Sequence, residues 1–292
     1  MVHCSTTAPC YTLDSDTNNL RPGADEGLRL IFFRRVFRLI LIGLSFVYSI
    51  AELLITRPKS RPERAAWLTR FCGRVLRSTN IRLHATGPIP TEGAVISNHL
   101  TIVDILSHSA LRPCVFVSKA ELRQVPLIGW ISRMAGTVYV VRGGGGSAQK
   151  AAEGMAKGFR DRLPVTFFPE GGTFMGDQPV MPFRSGLLAE TLAAGEKVSP
   201  SFIHYELTPG DLAAGRTVRE DVYLGERSLP NMVWSLVGLE RLDVHILFAD
   251  KPIDFPPEAY EDRKIAAVLA HDIVLELSGT AGDRQQSEAA AI

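Results

Sequence analysis

The feature that most constrains this chain is an apolar run close to its N-terminus. Residues 39–55 are almost wholly apolar, Glu52 is the one charged residue among them, and basic residues flank the run on both sides. A helix of this length is about 25 Å long, slightly shorter than the roughly 30 Å hydrocarbon core of a bilayer. The run predicts a helix that crosses a membrane or lies flat in its surface, with a buried core helix as the alternative. A cleaved signal peptide is not favoured, because the charged region before the run is too long and no small-x-small site follows it.

The segment that follows the apolar run supports the membrane interpretation. In residues 61–79 apolar side chains repeat at helical spacing, while Arg70, Arg74 and Arg77 line another face. Such a basic amphipathic helix can lie in a membrane interface, and a core-packed helix with a solvated arginine face is the alternative. Adjacency to the apolar run favours the membrane. More basic residues follow the run than precede it, which predicts that the rest of the chain lies on the cytoplasmic side.

Beyond residue 80 the pattern alternates between strands and helices. This rhythm predicts an α/β fold with a single mixed central sheet flanked by helices, preceded by N-terminal membrane-associated helices. The predicted organisation is a flexible tail over 1–28, a membrane-associated helical segment over 29–79, one α/β domain over 80–280 and a flexible tail over 281–292. The predicted strands are 81–85, 94–97, 114–118, 137–141, 165–168, 198–204 and 244–249, and the predicted helices are 101–110, 147–163, 184–195 and 258–278.

Charge and cysteine usage exclude other classes of protein. The formal net charge of +1 argues against a nucleic-acid partner, since binding to a phosphate backbone normally shows as a basic excess. The four cysteines contain no CxxC, and no His/Cys cluster has the spacing of a zinc site. Free thiols in a reducing compartment and no metal are therefore expected.

The segment SNHLTIVD, residues 97–104, contains a candidate base, His99, and a carboxylate that could orient it, Asp104. It follows the apolar stretch GAVI, so His99 would sit where a short buried strand ends and a helix begins. A neutral imidazole can accept a proton through one nitrogen while the carboxylate of Asp104 holds the other. The spacing alone is common by chance. No GxSxG elbow occurs, and neither Ser97 nor Cys114 has a nucleophile motif, so direct attack by one bound substrate on another is favoured over a covalent enzyme intermediate.

Further blocks strengthen this interpretation. Four blocks follow one another along the chain: NHx4D at 98–104, the segment 136–142, FPEGG at 168–172 and Pro200. Together these blocks resemble the glycerolipid acyltransferase family over residues 80–210. The resemblance implies that 80–280 is an acyltransferase domain, with His99 as general base and Asp104 holding its imidazole.

The same resemblance implies a set of substrate-binding residues. The second and fourth blocks map onto Arg142 and Pro200, and the third block, which binds the acceptor, contains Glu170 and Gly171. The chain departs from the family after Glu-Gly, where Thr and Arg are usual and this chain has Gly172, Thr173 and Phe174. The contacts that would hold the phosphate of the acceptor are therefore expected to differ. The full predicted set is Asn98, Lys119, Arg142, Glu170, Gly171, Gly172, Arg184 and Pro200.

The predicted activity is transfer of a fatty acyl group from acyl-coenzyme A or acyl carrier protein to the free hydroxyl of a lysolipid in the membrane. Lysophosphatidic acid, giving phosphatidic acid, is the first expected acceptor, and lyso-ornithine lipid is the second. The thioester is a co-substrate, and no cofactor or metal is implied.

Two other functions are compatible with parts of the sequence. Gly143, Gly145 and Ala148 satisfy GxGxx(G/A) between a predicted strand and helix, with Glu170 at a plausible distance for a dinucleotide site. That assignment leaves the NHx4D pair and the membrane segment without a purpose. A membrane-bound lipid carrier with a degenerate site would account for the altered residues after Gly171, but the presence of both His99 and Asp104 argues against it.

Overall fold

The computed structural model describes residues 22–140, 147–176 and 178–290, and it begins with two long helices. Helix α1 (Pro22–Thr56) and helix α2 (Arg61–Ser78) run antiparallel, because Ser45 contacts Ser78 while Glu52 contacts Arg70. By length and composition, the part of α1 from Arg29 to Thr56 is a candidate membrane span.

Helix α2 packs its apolar side into the core, which is the alternative to the membrane-interface helix that the sequence favoured. Ser60 caps it, with the hydroxyl accepting from the backbone N–H of Glu63 while the Glu63 carboxylate accepts from the N–H of Ser60. The apolar side of the helix, including Trp67, Phe71 and Val75, is buried. This burial holds α2 against the α/β domain.

Within the described residues, seven strands form one mixed sheet. Their order is β1-β7-β6-β2-β5-β3-β4, and β6 and β7 are the antiparallel pair in an otherwise parallel arrangement. The strands are β1 (Ile81–Thr86), β2 (Ala94–Ile96), β3 (Val115–Lys119), β4 (Val138–Val140), β5 (Val165–Phe167), β6 (Val198–Leu207) and β7 (Leu242–Phe248).

Helices cover both faces of this sheet. Alternate residues of β2 face opposite sides: Ala94 and Ile96 join one core cluster, and Val95 joins another. The remaining helices are α3 (Ile102–Leu111), a 3₁₀ helix (Ala120–Gln124), α4 (Ile128–Met134), α5 (Ser147–Arg160), α6 (Gly186–Ala193), α7 (Pro209–Ala213), α8 (Val218–Asp221), α9 (Leu229–Leu236), α10 (Pro257–Glu261) and α11 (Arg263–Ala290).

The predicted fold class, a single mixed sheet flanked by helices, is confirmed. The boundaries shift, since α1 begins at Pro22 and α11 extends to Ala290, inside the segments expected to be tails. The single helix predicted over 258–278 is two, interrupted at Asp262, which has extended backbone. The 3₁₀ helix, α4 and the short helices α7 to α9 were not predicted, because helices of four to eight residues are too short to show a clear periodicity.

Candidate active site

The candidate site lies where two neighbouring parallel strands end. Ile96 of β2 pairs with Phe167 of β5, so His99 and Glu170 each follow the last paired residue by the same distance. The carboxyl ends of parallel strands are the usual position of ligand sites in α/β sheets. Register alone therefore brings the NHx4D and FPEGG blocks together.

His99 and Asp104 form a hydrogen-bonded pair. Nδ1 of His99 lies 2.7 Å from Oδ2 of Asp104, and that oxygen also accepts the backbone N–H groups of Leu100 at 2.7 Å and Thr101 at 2.9 Å. An ionised carboxylate only accepts, so Nδ1 carries the proton and Nε2 remains a base. The Asp104 side chain is fully buried at the start of α3, where the helix dipole favours its charge.

The Asp104 carboxylate has a further partner from a distant strand. The hydroxyl of Tyr205, in β6, donates to Oδ1 of Asp104. Sequence reasoning did not select Tyr205, because it lies 101 residues from Asp104. The alternation of β6, which places Ile203, Tyr205 and Leu207 in one core cluster, shows which face it occupies but not its partner.

The imidazole of His99 packs against the ring of Phe168 on one side and faces the cavity on the other. It stacks on Phe168 with ring centroids 4.0 Å apart and an interplanar angle of 8°, and its side chain is 15% exposed. His99 lines the cavity in front of it. The base is therefore fixed in orientation and accessible from one side.

Glu170 holds the backbone on both sides of the site. Its Oε2 accepts the N–H of His99 at 2.8 Å, its Oε1 accepts the N–H of Met181 at 2.9 Å, and the residue is 4% exposed. Burial raises the pKa of its carboxyl group to about 8, although the two backbone donors act in the opposite direction. The carboxylate thus ties the His99 segment to the segment preceding α6.

Asn98 and Pro200, two of the predicted binding residues, contact other parts of the protein and do not line the cavity. The Asn98 side chain is buried and bridges the backbone of Ile203, accepting its N–H at 2.8 Å and donating to its carbonyl at 3.0 Å. Pro200 lies within β6 beside Ile96 of β2. With Glu170, these residues stand behind the cavity lining, and their polar groups are used within the protein.

Four of the predicted binding residues line the cavity with His99: Lys119, Gly171, Gly172 and Arg184. The cavity has a volume of about 530 Å³, and its walls are largely apolar, with Phe116, Val117, Leu122, Val140, Phe167, Leu187 and Leu224 among the lining residues. The backbone N–H of Arg184 donates to Pro169 at 2.9 Å. Among the described residues, the Arg184 guanidinium has neither a hydrogen-bond nor an ion-pair partner.

The departure after Glu-Gly has a structural counterpart. Gly171 has φ of 75°, a left-handed conformation that favours glycine. A side chain at Gly172 would meet the ring of Phe174 at 3.1 Å. The Phe174 ring thus occupies the space beside the position where the family usually has threonine.

Other predicted features fall outside this site or outside the described residues. Arg142, Gly143 and Gly145 lie outside the described residues. Cys72 and Cys114 are buried free thiols, and burial raises their pKa values to about 12 and about 11, so neither is a ready nucleophile. Within 22–140, 147–176 and 178–290, no group of three or more His, Cys, Asp or Glu side chains is arranged to hold a metal ion.

A histidine base oriented by a buried carboxylate, at the end of a strand and facing an apolar cavity, is the arrangement of an enzyme that activates a hydroxyl for acyl transfer. The family model described as Acyltransferase matches residues 80–204. The chain belongs to this family and is an acyltransferase, as the motif resemblance predicted.

Two relatives and one solved structure show how far the similarity extends. The lyso-ornithine lipid O-acyltransferase of Pseudomonas aeruginosa is 32% identical over 228 residues, covering 77% of this chain and 81% of the relative. The 1-acyl-sn-glycerol-3-phosphate acyltransferase of Neisseria meningitidis is 28% identical over 224 residues, covering 74% and 84%. The crystal structure of the 1-acyl-sn-glycerophosphate (LPA) acyltransferase of Thermotoga maritima superposes with a TM-score of 0.59 at 19% identity, covering 89% of this chain and 97% of that one, and shows the shared fold.

Proposed function

We propose that this acyltransferase moves a fatty acyl group from the thioester of acyl-coenzyme A or acyl carrier protein to the free hydroxyl of a lysolipid. The observation that carries the proposal is the Nδ1 contact of His99 with Asp104, at 2.7 Å, which leaves Nε2 as the nitrogen available to the cavity. A hydroxyl bound beside Nε2 would be deprotonated as it attacks.

The chemistry needs no covalent enzyme intermediate. Nε2 of His99 takes the acceptor's hydroxyl proton, and the acceptor oxygen forms a bond with the thioester carbonyl carbon. The carbon–sulfur bond of the resulting tetrahedral species then breaks, and the thiolate takes the proton back from the imidazolium. The products are an ester and a free thiol, and His99 returns to its starting state.

The tetrahedral oxyanion would need donors on the opposite side of the carbonyl. Gly172 and Thr173 line the cavity, and the backbone amide of neither donates to another described residue. These amides are candidate oxyanion donors. The apolar walls of the cavity suit the hydrocarbon chain of one of the two substrates.

The acceptor's head group separates two candidate substrates. Lysophosphatidic acid requires cations for its phosphate, and Arg184 and Lys119 line the cavity, with Arg142 predicted from sequence to join them. Lyso-ornithine lipid carries no phosphate. It is favoured by the loss of the usual arginine after Glu-Gly, where Thr173 stands, and by the similarity to the P. aeruginosa enzyme. We place lyso-ornithine lipid first on these two observations.

Membrane attachment is proposed through α1. Its exposed apolar side chains recur at intervals of three and four residues as Phe33, Phe37, Ile40, Leu44, Val47, Ile50 and Leu54, forming one continuous stripe. An exposed apolar surface of this length on a soluble domain is typical of a lipid contact.

Contacts on both sides of the apolar run of α1 favour a helix that lies flat. Just before the run, in the middle of α1, the Arg38 guanidinium donates to the carbonyls of Val237, Leu239 and Glu240. Towards the end of the run, Glu52 accepts from Arg70 and Arg74 of α2, at 2.5 Å in each case. An apolar run that is held to one domain on both sides cannot cross a bilayer while that domain stays on one side. The charge asymmetry that predicted a cytoplasmic position orients a spanning helix, so for a flat helix the cytoplasmic position is a separate proposal, in which the arginines lie near anionic head groups.

The test is thiol release from acyl-coenzyme A and from acyl carrier protein by wild type and His99→Ala, offered lyso-ornithine lipid and lysophosphatidic acid in parallel. Wild type should form a mass-identified diacyl lipid, and His99→Ala should be slower by about 10³-fold. The control is His84→Ala, whose exposed imidazole lies on β1. Product from lysophosphatidic acid alone would reverse the order of the acceptors, and an equal rate in His99→Ala would remove the general-base assignment.

A further inference from the structure

Tyr205 makes a contact that packing alone does not require. It lies in a core cluster with Ile203 and Val244, it is 8% exposed, and its hydroxyl reaches Oδ1 of Asp104. A phenylalanine would fill the same space without bringing a polar hydroxyl into the core. The hydroxyl therefore serves the carboxylate.

The two oxygens of Asp104 have different surroundings. Oδ2 accepts from the imidazole of His99 and from the backbone N–H groups of Leu100 and Thr101. Oδ1 accepts from Tyr205, and no other described residue donates to it. Tyr205 is thus the described contact that holds Oδ1, and together with the three donors to Oδ2 it fixes the rotation of the carboxyl group.

We propose that Tyr205 is a positioning residue for acyl transfer, acting through Asp104 to hold the His99 imidazole in its productive orientation and to set how strongly the carboxylate attracts the imidazolium. The proposal rests on the proposed function, in which His99 is the base. It adds a third member to the pair, contributed by β6 at a position outside the motif residues.

The charge state of the surroundings makes Tyr205 a permanent donor. Burial, with Asp104 as its neighbour, raises the pKa of the tyrosine well above 10, so the hydroxyl keeps its proton throughout the working range. His108 on α3 lies near His99, and burial lowers its pKa to about 3, so it stays neutral. Glu170 is the remaining nearby carboxyl group, and its interaction with Asp104 is unfavourable.

Removing the hydroxyl should alter both rate and pH dependence. Without its Oδ1 donor the carboxylate directs more of its charge to the imidazole, which favours the imidazolium and moves the acid limb of kcat/KM to higher pH. The freed rotation of the carboxyl group should also lower kcat, by about 10- to 100-fold, as is typical for a residue that supports a catalytic group. KM for both substrates should stay within about twofold, because Tyr205 does not line the cavity.

The experiment compares Tyr205→Phe with Tyr139→Phe. Tyr139 is a matched control, since its half-buried hydroxyl contacts Ser132 at 2.6 Å and has no contact with Asp104. Tyr205→Phe should lower kcat and shift the acid limb upward, whereas Tyr139→Phe should do neither. Thermal unfolding of both variants checks that they fold. An unshifted pH profile with normal kcat in folded Tyr205→Phe would overturn the proposal.

A double-mutant cycle tests whether the effect passes through Asp104. Tyr205→Phe should cost little further activity in an Asp104→Asn background, because the group through which it acts is already lost. An undiminished loss in that background would show that Tyr205 acts elsewhere, and the proposal would be wrong.

A readout without turnover separates this proposal from the proposed function. The NMR titration of the His99 ring, assigned by its absence in His99→Ala, should have a higher midpoint in Tyr205→Phe and an unchanged midpoint in Tyr139→Phe. This result would support the role of Tyr205 even if none of the lysolipids were turned over. An unchanged midpoint in Tyr205→Phe would contradict it whatever the acceptor is.

Discussion

The two sides of the cavity are built differently. On the base side, the orientation of His99 is fixed by Asp104 and Phe168, and its backbone N–H is held by Glu170. On the acceptor side, the amides of 172–173 and the guanidinium of Arg184 have no acceptor among the described residues. The groups for proton transfer are satisfied before any substrate binds, and the groups for recognition await a ligand.

This difference indicates on which side of the cavity a substitution would disturb the protein least. Altering the base side disturbs a buried network in which each polar group depends on another. Altering the acceptor side replaces exposed groups whose partners belong to the substrate. The departure after Glu-Gly falls on the acceptor side, and the NHx4D pair is intact.

The largest expected effect is on the base side. Asp104→Asn should lower kcat by about 10³-fold, because an amide cannot stabilise the imidazolium and also favours the wrong tautomer. Asp243→Asn is the matched control, since Asp243 pairs with His84 at 2.9 Å on the outer face of the sheet. Steady-state kinetics should show the loss in Asp104→Asn alone. Equal losses in the two variants would mean that the pair has no special role.

The next effect concerns membrane binding, which neither side of the cavity provides. Phe37 on α1 is 60% exposed, and Phe37→Asp should weaken binding to anionic vesicles by about 10- to 100-fold, since it loses the burial of an aromatic ring and adds a negative charge. Leu212→Asp, on the equally exposed Leu212 of α7, is the control. Co-sedimentation measures both variants. Weaker binding of the Leu212 variant alone would place the lipid contact elsewhere.

A smaller effect is expected on the acceptor side. Arg184→Gln should raise KM for an anionic acceptor by about tenfold while kcat stays the same, since one charge-assisted contact to the head group is lost. Arg133→Gln, on α4, is a control whose guanidinium donates to the Arg123 carbonyl at 2.7 Å. Initial rates measured at varied acceptor concentration give KM and kcat for both variants. A fall in kcat with unchanged KM would move Arg184 to the chemical step.

The last prediction concerns folding stability and not catalysis, where the effect on activity is the smallest: it is the contribution of Glu170 to the free energy of unfolding. Its folded-state pKa of about 8 exceeds the ordinary value of 4.5, so below about pH 4.5 both states hold the proton. Between these values only the folded state holds it, and this group's contribution to stability declines as pH rises to about 8. The difference in unfolding free energy between wild type and Glu170→Gln, measured by denaturant titration, should follow this course. A difference independent of pH would contradict the raised pKa.

The sequence could predict the parts of the molecule that depend on nearby residues. His99 and Asp104 lie five positions apart across a strand end and a helix start, so local geometry joins them. The contact between Tyr205 and Asp104 spans 101 residues and follows from the sheet order, which periodicity does not specify. The role of Glu170 was similarly hidden, because one of its partners is the backbone N–H of Met181 and no side-chain pattern marks it.

The attachment of α1 at Arg38 and Glu52 has a consequence for the bilayer as a whole. The flat helix that we propose would give the enzyme access to one leaflet, so the single-chain lipid would be consumed and the two-chain product delivered in that leaflet. A two-chain lipid occupies more area than its precursor, and steady turnover would expand one leaflet relative to the other. Balanced growth of the membrane would then depend on a separate process that moves lipid across it.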